Sequence, residues 1–218
     1  MVFSGVIGYI YMGCQWIVRF AYVNILWIIF SCAGLLIFGI APATTAMFAV
    51  VRKWIRGEKD INIFKYYWNT FRSEFYKSNI YGILFLVLSI VLYVNYIFLS
   101  TIDGWLLNVM TFGFISFLVL FIITLLYIFP LIVHYQLNKL DYLKYAIIIG
   151  LTHPLITLLM LVQFIAIYLL IIKVPGFLPF FSVSSISFVI MWLANYTFNK
   201  IEDRKEESLK VESSVEKT

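Results

Sequence analysis

Five long stretches of this chain contain no Asp, Glu, Lys or Arg. They cover residues 20–40, 80–100, 108–133, 145–172 and 174–199. A helix rises 1.5 Å per residue, so ~20 residues are enough to cross the ~30 Å hydrocarbon core of a bilayer. Backbone polar groups in lipid must bond to one another, so such segments span as helices. The sequence therefore predicts an all-α fold, a polytopic membrane helical bundle with about five transmembrane helices.

Composition supports one membrane domain rather than a soluble one. Hydrophobic residues make up 63% of the chain and charged residues 12%, against ~25% charged residues in an average soluble domain. The connections between the spans are too short for a separate soluble domain. Residues 1–200 are therefore expected to form a single membrane domain. Residues 201–218 are rich in Glu, Lys and Ser, and they are predicted to be a disordered cytoplasmic tail.

The distribution of positive charge predicts an orientation in the membrane. Fourteen of the sixteen Lys and Arg residues lie within residues 52–77, 139–144 and 200–217, whereas Arg19 and Lys173 lie elsewhere. With five spans, these basic segments all fall on one side, which the positive-inside bias assigns to the cytoplasm. The prediction is an N-terminus outside and a C-terminus in the cytoplasm. Because Arg19 would interrupt an earlier span, residues 1–18 are expected to form an interfacial or partly embedded helix.

The first connection, residues 42–78, is both long and amphipathic. Pro42 suits the first turn of a helix that Gly57 would end, and Asp60 is placed to cap a second helix. Apolar side chains of the second helix recur every three or four residues, as expected for one buried stripe. That stripe consists of Ile61, Phe64, Tyr67, Trp68, Phe71 and Phe75. The pattern predicts a cytoplasmic amphipathic helical hairpin between the first two spans.

Two interpretations of this hairpin remain open. It could anchor in the headgroup region, where basic residues attract anionic lipids at ~1 kcal/mol each. It could instead dock on another protein, since amphipathic helices also fit grooves on partners. The residues predicted to form the lipid- or partner-binding surface are Arg52, Lys53, Trp54, Arg56, Trp68 and Arg72. We expect no nucleic-acid partner.

Groups suited to catalysis are scarce. The five spans contain no carboxylate, which argues against a conventional proton-coupled pump. With two histidines in the whole chain, a His-rich or carboxylate-rich metal site cannot be assembled in the spans. The chain also lacks the Gly-x-Ser-x-Gly and His-Glu-x-x-His motifs of known hydrolases. We therefore expect no enzyme activity, no metal and no cofactor.

His153 is the candidate for a substrate-binding or gating residue. It lies within the fourth predicted span, directly before Pro154. A proline inside a helix frees the carbonyl group four residues earlier, here that of Gly150, and produces a kink. In the functional interpretation the imidazole binds a substrate at this bend. In the structural interpretation, which we favour, it hydrogen-bonds to another helix and stabilises packing.

Several short runs resemble the YesL-like family of bacterial integral membrane proteins. They are GIAPATTA at 39–46, VRKWIRGE at 51–58, IF at 63–64 and YW at 67–68, followed by YIFPL at 127–131 and HP at 153–154. The likeness extends over nearly the whole chain, and residues 39–68 carry its specific part. The apolar spans alone would not identify a family.

The resemblance implies a function that the residues by themselves do not. Members of that family look like non-catalytic accessory or assembly proteins associated with carbohydrate importers of the ATP-binding-cassette (ABC) type. The implied partners are the sugar permease subunits, and the implied location is the bacterial cytoplasmic membrane. The alternative is a small membrane transporter or channel that works as a homo-oligomer. The family supplies no catalytic residues that could be assigned here.

Overall fold

The computed structural model describes residues 6–215, so the predictions for residues 1–5 and 216–218 lie outside the described residues. The regular elements in the described range are α-helices. In chain order they are α1 (Val6–Ala33), α2 (Ile40–Ile55), α3 (Ile63–Ser73), α4 (Phe75–Leu99), α5 (Trp105–His134), α6 (Lys139–Thr152), α7 (Pro154–Lys173) and α8 (Phe177–Val215).

Five segments within residues 6–215 are long and apolar enough to cross a membrane. They are Gly8–Ala33, Phe75–Leu99, Trp105–His134, Pro154–Lys173 and Phe177–Ser208. Each falls on a different helix, and large apolar side chains are exposed along all five. This confirms the predicted polytopic membrane helical bundle.

The first span begins earlier than the sequence predicts. Helix α1 runs without interruption from Val6 through Arg19 to Ala33. The sequence predicts an interfacial helix up to residue 18 and a separate span from residue 20, but the described residues form one helix. A tight turn at residues 34–39 then reverses the chain. Gly39 is needed there, because a Cβ atom at this position would collide with the backbone of Ser31. The predicted end of the span at residue 40 is therefore already the start of α2.

Helix α2 lies in the centre of the bundle, where it contacts α1, α3, α4, α5 and α8. The sequence places this segment in the interfacial hairpin, and that prediction is wrong for α2. Its sixteen residues span about 24 Å at 1.5 Å per residue, which is most of a bilayer core. Small side chains at Ala41, Ala43, Ala46 and Ala49 are buried and let the neighbouring helices approach closely.

Buried hydrogen bonds and one close approach at a glycine hold the neighbouring helices against α2. The hydroxyl groups of Thr45 and Ser78 lie 2.7 Å apart and join α2 to α4. Ser187 of α8 donates to the Met47 sulfur at 3.2 Å. Gly82 of α4 faces α2 so closely that an added Cβ atom would lie 2.7 Å from the Ala41 Cβ atom. The core therefore depends on close approach to one central helix.

The fourth predicted span is two helices rather than one kinked helix. Helix α6 ends at Thr152 and α7 begins at Pro154, with His153 between them in a non-helical conformation (φ −124°, ψ 62°). Pro154 prevents the Gly150 carbonyl from receiving its usual backbone hydrogen bond. The Thr157 hydroxyl lies 3.0 Å from that carbonyl oxygen and satisfies it. A buried side chain thus compensates for the break.

Contacts between helices show the direction in which each one runs. The rings of Phe20 in α1 and Phe188 in α8 have centroids 5.3 Å apart, and Asn24 accepts a hydrogen bond from the Ser184 N–H group at 3.0 Å. Higher numbers in α1 thus meet lower numbers in α8, so the two helices are antiparallel. The start of α1 and the end of α8 consequently point to the same end of the bundle.

That shared end also carries most of the basic residues. Arg19 Nη2 lies 3.9 Å from Asp60 Oδ1, in the loop after α2, so Arg19 does not sit on the opposite side with Lys173 as the charge pattern suggested. We call this the basic end; it carries Arg52, Arg56, Lys77 and Lys139. The predicted placement of the N-terminus outside and the C-terminus in the cytoplasm does not agree with these helix directions. The reason is that α2 returns the chain through the bundle before α4 begins.

The C-terminal segment is helical as far as it is described. The sequence predicts disorder for residues 201–218, but α8 continues to Val215. Glu and Lys are good helix formers, and a helix already started in the bundle need not be nucleated again. The segment therefore extends α8 beyond the candidate span Phe177–Ser208.

Candidate functional site

Helix α3 is the amphipathic helix that the sequence predicts, although its cap differs. Asn62 caps it by accepting a hydrogen bond from the Lys65 N–H group at 3.0 Å, whereas the expected cap, Asp60, faces Arg19. Tyr67 and Phe71 are buried against Phe30 of α1, with ring centroids 5.2 and 5.0 Å away. Burial raises the pKa of the Tyr67 phenol, so this group remains a neutral hydrogen-bond donor.

The outward face of α3 presents aromatic and basic groups together. Trp68 is 44% exposed and stacks on Phe71, with planes only 13° apart. Phe64, Arg72 and, in the loop after α2, Arg56 are also exposed. We call Phe64, Trp68 and Arg72, which share one face of α3, the α3 surface. Trp68 and Arg72 are therefore the two of the six predicted contact residues that belong to it, whereas Arg56 lies outside α3, where it interacts electrostatically with Arg52.

Trp54, in contrast, is a core residue. It is 2% exposed, and its ring meets that of Trp16 edge-on at 5.7 Å. The prediction fails because Trp54 lies on α2, which is enclosed by other helices. Lys53 is half-buried, and its Nζ atom is 2.6 Å from Glu58 Oε2. Neither residue is placed to bind a partner or a lipid surface.

Arg52, the remaining predicted residue, points away from the α3 surface and lines a cleft at the basic end. The cleft has a volume of about 480 Å³ and lies between the end of α2, α3, the start of α4 and the end of α5. Its polar lining includes Arg52, Thr70, Glu74, Lys77, His134 and Gln136. The sequence-based search did not assemble this group, because its members come from three separate parts of the chain.

Charged groups in the cleft are incompletely paired within the described residues. Arg52 Nη2 reaches the His134 carbonyl oxygen at 3.4 Å, and its buried Nε atom finds no hydrogen-bond partner. The side chain of His134 is 3% exposed; its Nε2 atom lies 3.4 Å from Glu202, while its Nδ1 atom is buried and unpartnered. Burial raises the pKa of the adjacent Tyr135 phenol, and Glu202 raises it further. Such uncompensated polar atoms are costly unless something binds them.

Lys77 is held in position at the same cleft. Its ammonium group lies 2.7 Å from the Tyr142 hydroxyl and 3.5 Å from Glu74. Tyr142 is itself fixed, because it donates to the Tyr135 carbonyl at 2.8 Å and accepts from the Leu137 N–H group at 3.0 Å. The α5–α6 loop therefore orients a lysine that belongs to α4.

His153 is placed by the break between α6 and α7. Its Nδ1 atom lies 3.0 Å from the Thr152 hydroxyl, a neighbour in the sequence rather than a residue on a distant helix. Its carbonyl oxygen accepts hydrogen bonds from the N–H groups of Ile156 and Thr157, both at 3.1 Å. The backbone of His153 thus begins α7. The structural interpretation predicts a hydrogen bond from the imidazole to another helix. The contact of Nδ1 is instead with the adjacent residue, Thr152.

Comparison with known proteins shows full-length relatives from Bacillus subtilis (strain 168). Uncharacterized protein YteU is 37% identical over 202 residues, which cover 93% of this chain and 90% of that protein. Uncharacterized protein YesV is 38% identical over 193 residues, with coverage of 88% and 93%. Uncharacterized protein YesL is 34% identical over 194 residues, with coverage of 88% and 91%.

The family comparison matches the same part of the chain that carried the resemblance. Residues 20–96 match the family described as protein of unknown function, DUF624, a range that includes α2 and α3. No solved structure matches this chain. The similarity to YesL and its two relatives extends through most of both chains, and the resemblance seen in the sequence is confirmed. The chain belongs to the YesL-like family.

Proposed function

We propose that this protein is a non-catalytic accessory or assembly protein of the bacterial cytoplasmic membrane. The observation that carries the proposal is the α3 surface, where an exposed tryptophan and an exposed phenylalanine share a helix face with an exposed arginine. Trp and Arg are the residue types that most often dominate binding energy at protein interfaces. An aromatic group exposed on one face with a guanidinium group suits a partner with both apolar and acidic surface.

The partner that the family resemblance favours is the permease of a carbohydrate importer of the ABC type. Its support is the resemblance, together with an exposed surface on a helix that is not among the five candidate spans. The later part of α3 reaches the basic end, because Thr70 and Ser73 line the cleft there. We propose that this end is cytoplasmic by the positive-inside bias, so that the α3 surface would meet a permease subunit near its cytoplasmic face.

Co-purification from native membranes tests this proposal. The tagged full-length protein is expected to retain permease subunits in a fixed ratio. A Trp68→Ala/Arg72→Ala double variant is expected to lose them, because it removes the central aromatic group and a charge. The matched control is Lys144→Ala, which removes an exposed charge from α6.

Two outcomes would overturn the accessory function. Retention of the permease by the double variant would show that the α3 surface is not the contact. Unaided movement of an oligosaccharide into liposomes that contain only the purified protein would favour the alternative, a transporter or channel acting as an oligomer. If the double variant instead loses binding to anionic vesicles and keeps the permease, the α3 surface is a lipid anchor.

A further inference from the structure

We propose that the cleft at the basic end is a binding site for a phosphate-bearing anion, which Arg52 and Lys77 hold. This site is distinct from the α3 surface, since Arg72 faces outward whereas its neighbour Ser73 lines the cleft. The inference does not depend on the accessory function. It rests on the contents of the cleft.

Arg52 supplies a positive charge that forms no direct ion pair among the described residues, since Glu202 and Glu58 act on it only from a greater distance. In the described part of the chain its side chain makes one hydrogen bond, a long one of 3.4 Å to a neutral carbonyl group, and its Nε–H group is buried and unpartnered. A guanidinium group presents parallel N–H donors that fit two oxygens of one phosphate or carboxylate. The free Nε–H group and the loosely held Nη2 atom are adjacent donors of this kind.

Lys77 supplies a second cation whose position is already fixed. The Tyr142 hydroxyl takes one of its three donors at 2.7 Å, and Glu74 lies at a looser 3.5 Å. An ammonium group so placed acts as a point charge toward a bound oxyanion. Tyr142 is itself fixed by hydrogen bonds to two backbone groups. Binding of an anion would therefore cost little additional conformational entropy at Lys77.

The net charge of the lining selects the type of anion. In the lining, Arg52 and Lys77 are positive and Glu74 is negative. Arg56 and Glu202, which both interact electrostatically with Arg52, add one charge of each sign. With His134 neutral, the excess is one positive charge. A singly charged anion balances this lining, whereas a doubly charged one would also face Glu74 uncompensated. A phosphodiester carries a single negative charge. This type of group occurs in lipid headgroups and in soluble phosphorylated compounds.

Thermal unfolding of the full-length protein tests the site. Protein washed free of lipid in a nonionic detergent is titrated with short-chain phosphatidylglycerol in one arm and with inorganic phosphate in the other. Chloride at equal ionic strength serves as the blank. Since a ligand that binds only the folded state stabilises it, Tm should rise by about 3 °C or more near saturation. A response to phosphatidylglycerol alone identifies a lipid, and a response to phosphate alone identifies a soluble ligand.

Matched variants decide whether the response comes from this cleft. Arg52→Gln is expected to weaken binding roughly ten- to hundred-fold, as for loss of a charged hydrogen-bond partner. Ser73→Trp should block the cleft sterically; Ser73 is exposed, so the bundle does not depend on it. Arg72→Gln removes the same type of charge one residue away and should leave the response intact.

The proposal is overturned by either of two results. One is a Tm that neither ligand raises above the chloride blank. The other is a rise that persists unchanged in Ser73→Trp, which would place the binding elsewhere even if Arg52→Gln failed to fold. Loss of permease binding by the Trp68→Ala/Arg72→Ala variant bears on the α3 surface alone, so the two proposals fail independently.

Discussion

The Tyr67 hydroxyl donates a hydrogen bond of 2.7 Å to the backbone carbonyl of Ala43. This bond joins the amphipathic helix α3 to the central helix α2. Both partners are fully buried, and the carbonyl lies in the first turn of α2. Helix α3 is thereby fixed to the bundle at its buried face, while its outward face remains free.

Replacing Tyr67 by Phe tests this attachment. The change removes the hydroxyl and keeps the ring, so the free energy of unfolding should fall by ~1 kcal/mol. Thermal unfolding in detergent measures the loss, which corresponds to a few degrees in Tm. The control is Tyr76→Phe, because Tyr76 is 73% exposed and its hydroxyl loss should have little effect. Equal Tm values for the two variants would show that the bond contributes nothing.

Two glycines should respond in opposite ways to substitution by alanine, because an added Cβ atom meets a neighbouring side chain at Gly82 and open space at Gly113. Gly82→Ala brings a methyl group within 2.7 Å of the Ala41 Cβ atom, which should destabilise the protein by about 1–3 kcal/mol. Gly113→Ala has no heavy atom within 4 Å of the new methyl group and should be neutral or mildly stabilising. Chemical denaturation in detergent measures both changes. A Gly82→Ala variant as stable as the parent would mean that α4 can shift freely.

Asn24 should matter more than Asn95, although both amides lie in apolar helices. Asn24 joins α1 to α8, since it donates to the Pro179 carbonyl at 2.7 Å and accepts from the Ser184 N–H group at 3.0 Å. Asn95 donates within its own helix, to Val91 at 2.8 Å, and is exposed.

Alanine substitution measures the difference between the two amides. Asn24→Ala should cost about 1–2 kcal/mol, because it leaves the Pro179 carbonyl and the buried Ser184 N–H group without this partner. Asn95→Ala should cost a few tenths of a kcal/mol at most, since a single exposed intrahelical bond is lost. Urea or thermal unfolding compares them, and a larger cost at Asn95 would contradict the placement of α1 against α8.

The helix directions place the start of α1 and the end of α8 at the basic end, and the proposed orientation then predicts that both termini are cytoplasmic. Single cysteines at Glu58 and Asp103 can be labelled after Cys14 and Cys32 are replaced. A membrane-impermeant thiol reagent applied to intact cells should modify Asp103→Cys and leave Glu58→Cys untouched. Epitope tags at either end should be detected only after the cells are permeabilised. Detection of the N-terminal tag on intact cells would support the topology expected from charge alone.

The sequence predicted the helices better than it predicted their arrangement. Long uncharged segments specify spans directly, and four of them reappear as α4, α5, the α6–α7 pair and α8. Arg19 was interpreted as a barrier to a membrane helix, but it reaches Asp60 and lies 5.6 Å from the Trp16 ring, so α1 accommodates it. Asp60 is far from Arg19 in the sequence, so the local pattern could not reveal this contact.

Helix α2 was misplaced because its composition suits two environments. Alanines with a basic, aromatic end are typical of an interfacial helix, and they also fit a tightly packed centre. Arg52 and Trp54, separated by a single residue, consequently differ in their surroundings: one lines the cleft and the other is enclosed. No pattern within the segment could distinguish these cases, since the choice depends on which helices surround it.

The candidate cleft depended still more on tertiary structure. Arg52, Lys77 and His134 lie at the ends of three different helices, so only the packing of those ends brings them together. A signal was nevertheless present, because the orientation argument placed Arg52 and Lys77 on one side, and His134 directly follows the predicted third span, residues 108–133. Polar residues that cluster at helix ends on one side of a membrane domain are therefore candidates for a shared site.

Enclosure of α2 by five neighbours has a consequence for biogenesis. A segment that is short, rich in alanine and basic at one end gains little from lipid contact, so it is a poor substrate for stable insertion alone. Its side chains can be buried by protein only after α4, α5 and α8 have been synthesised and have packed around it. We therefore expect its stable incorporation to be a late step of assembly, and we expect truncation before α8 to expose α2 to quality-control proteases.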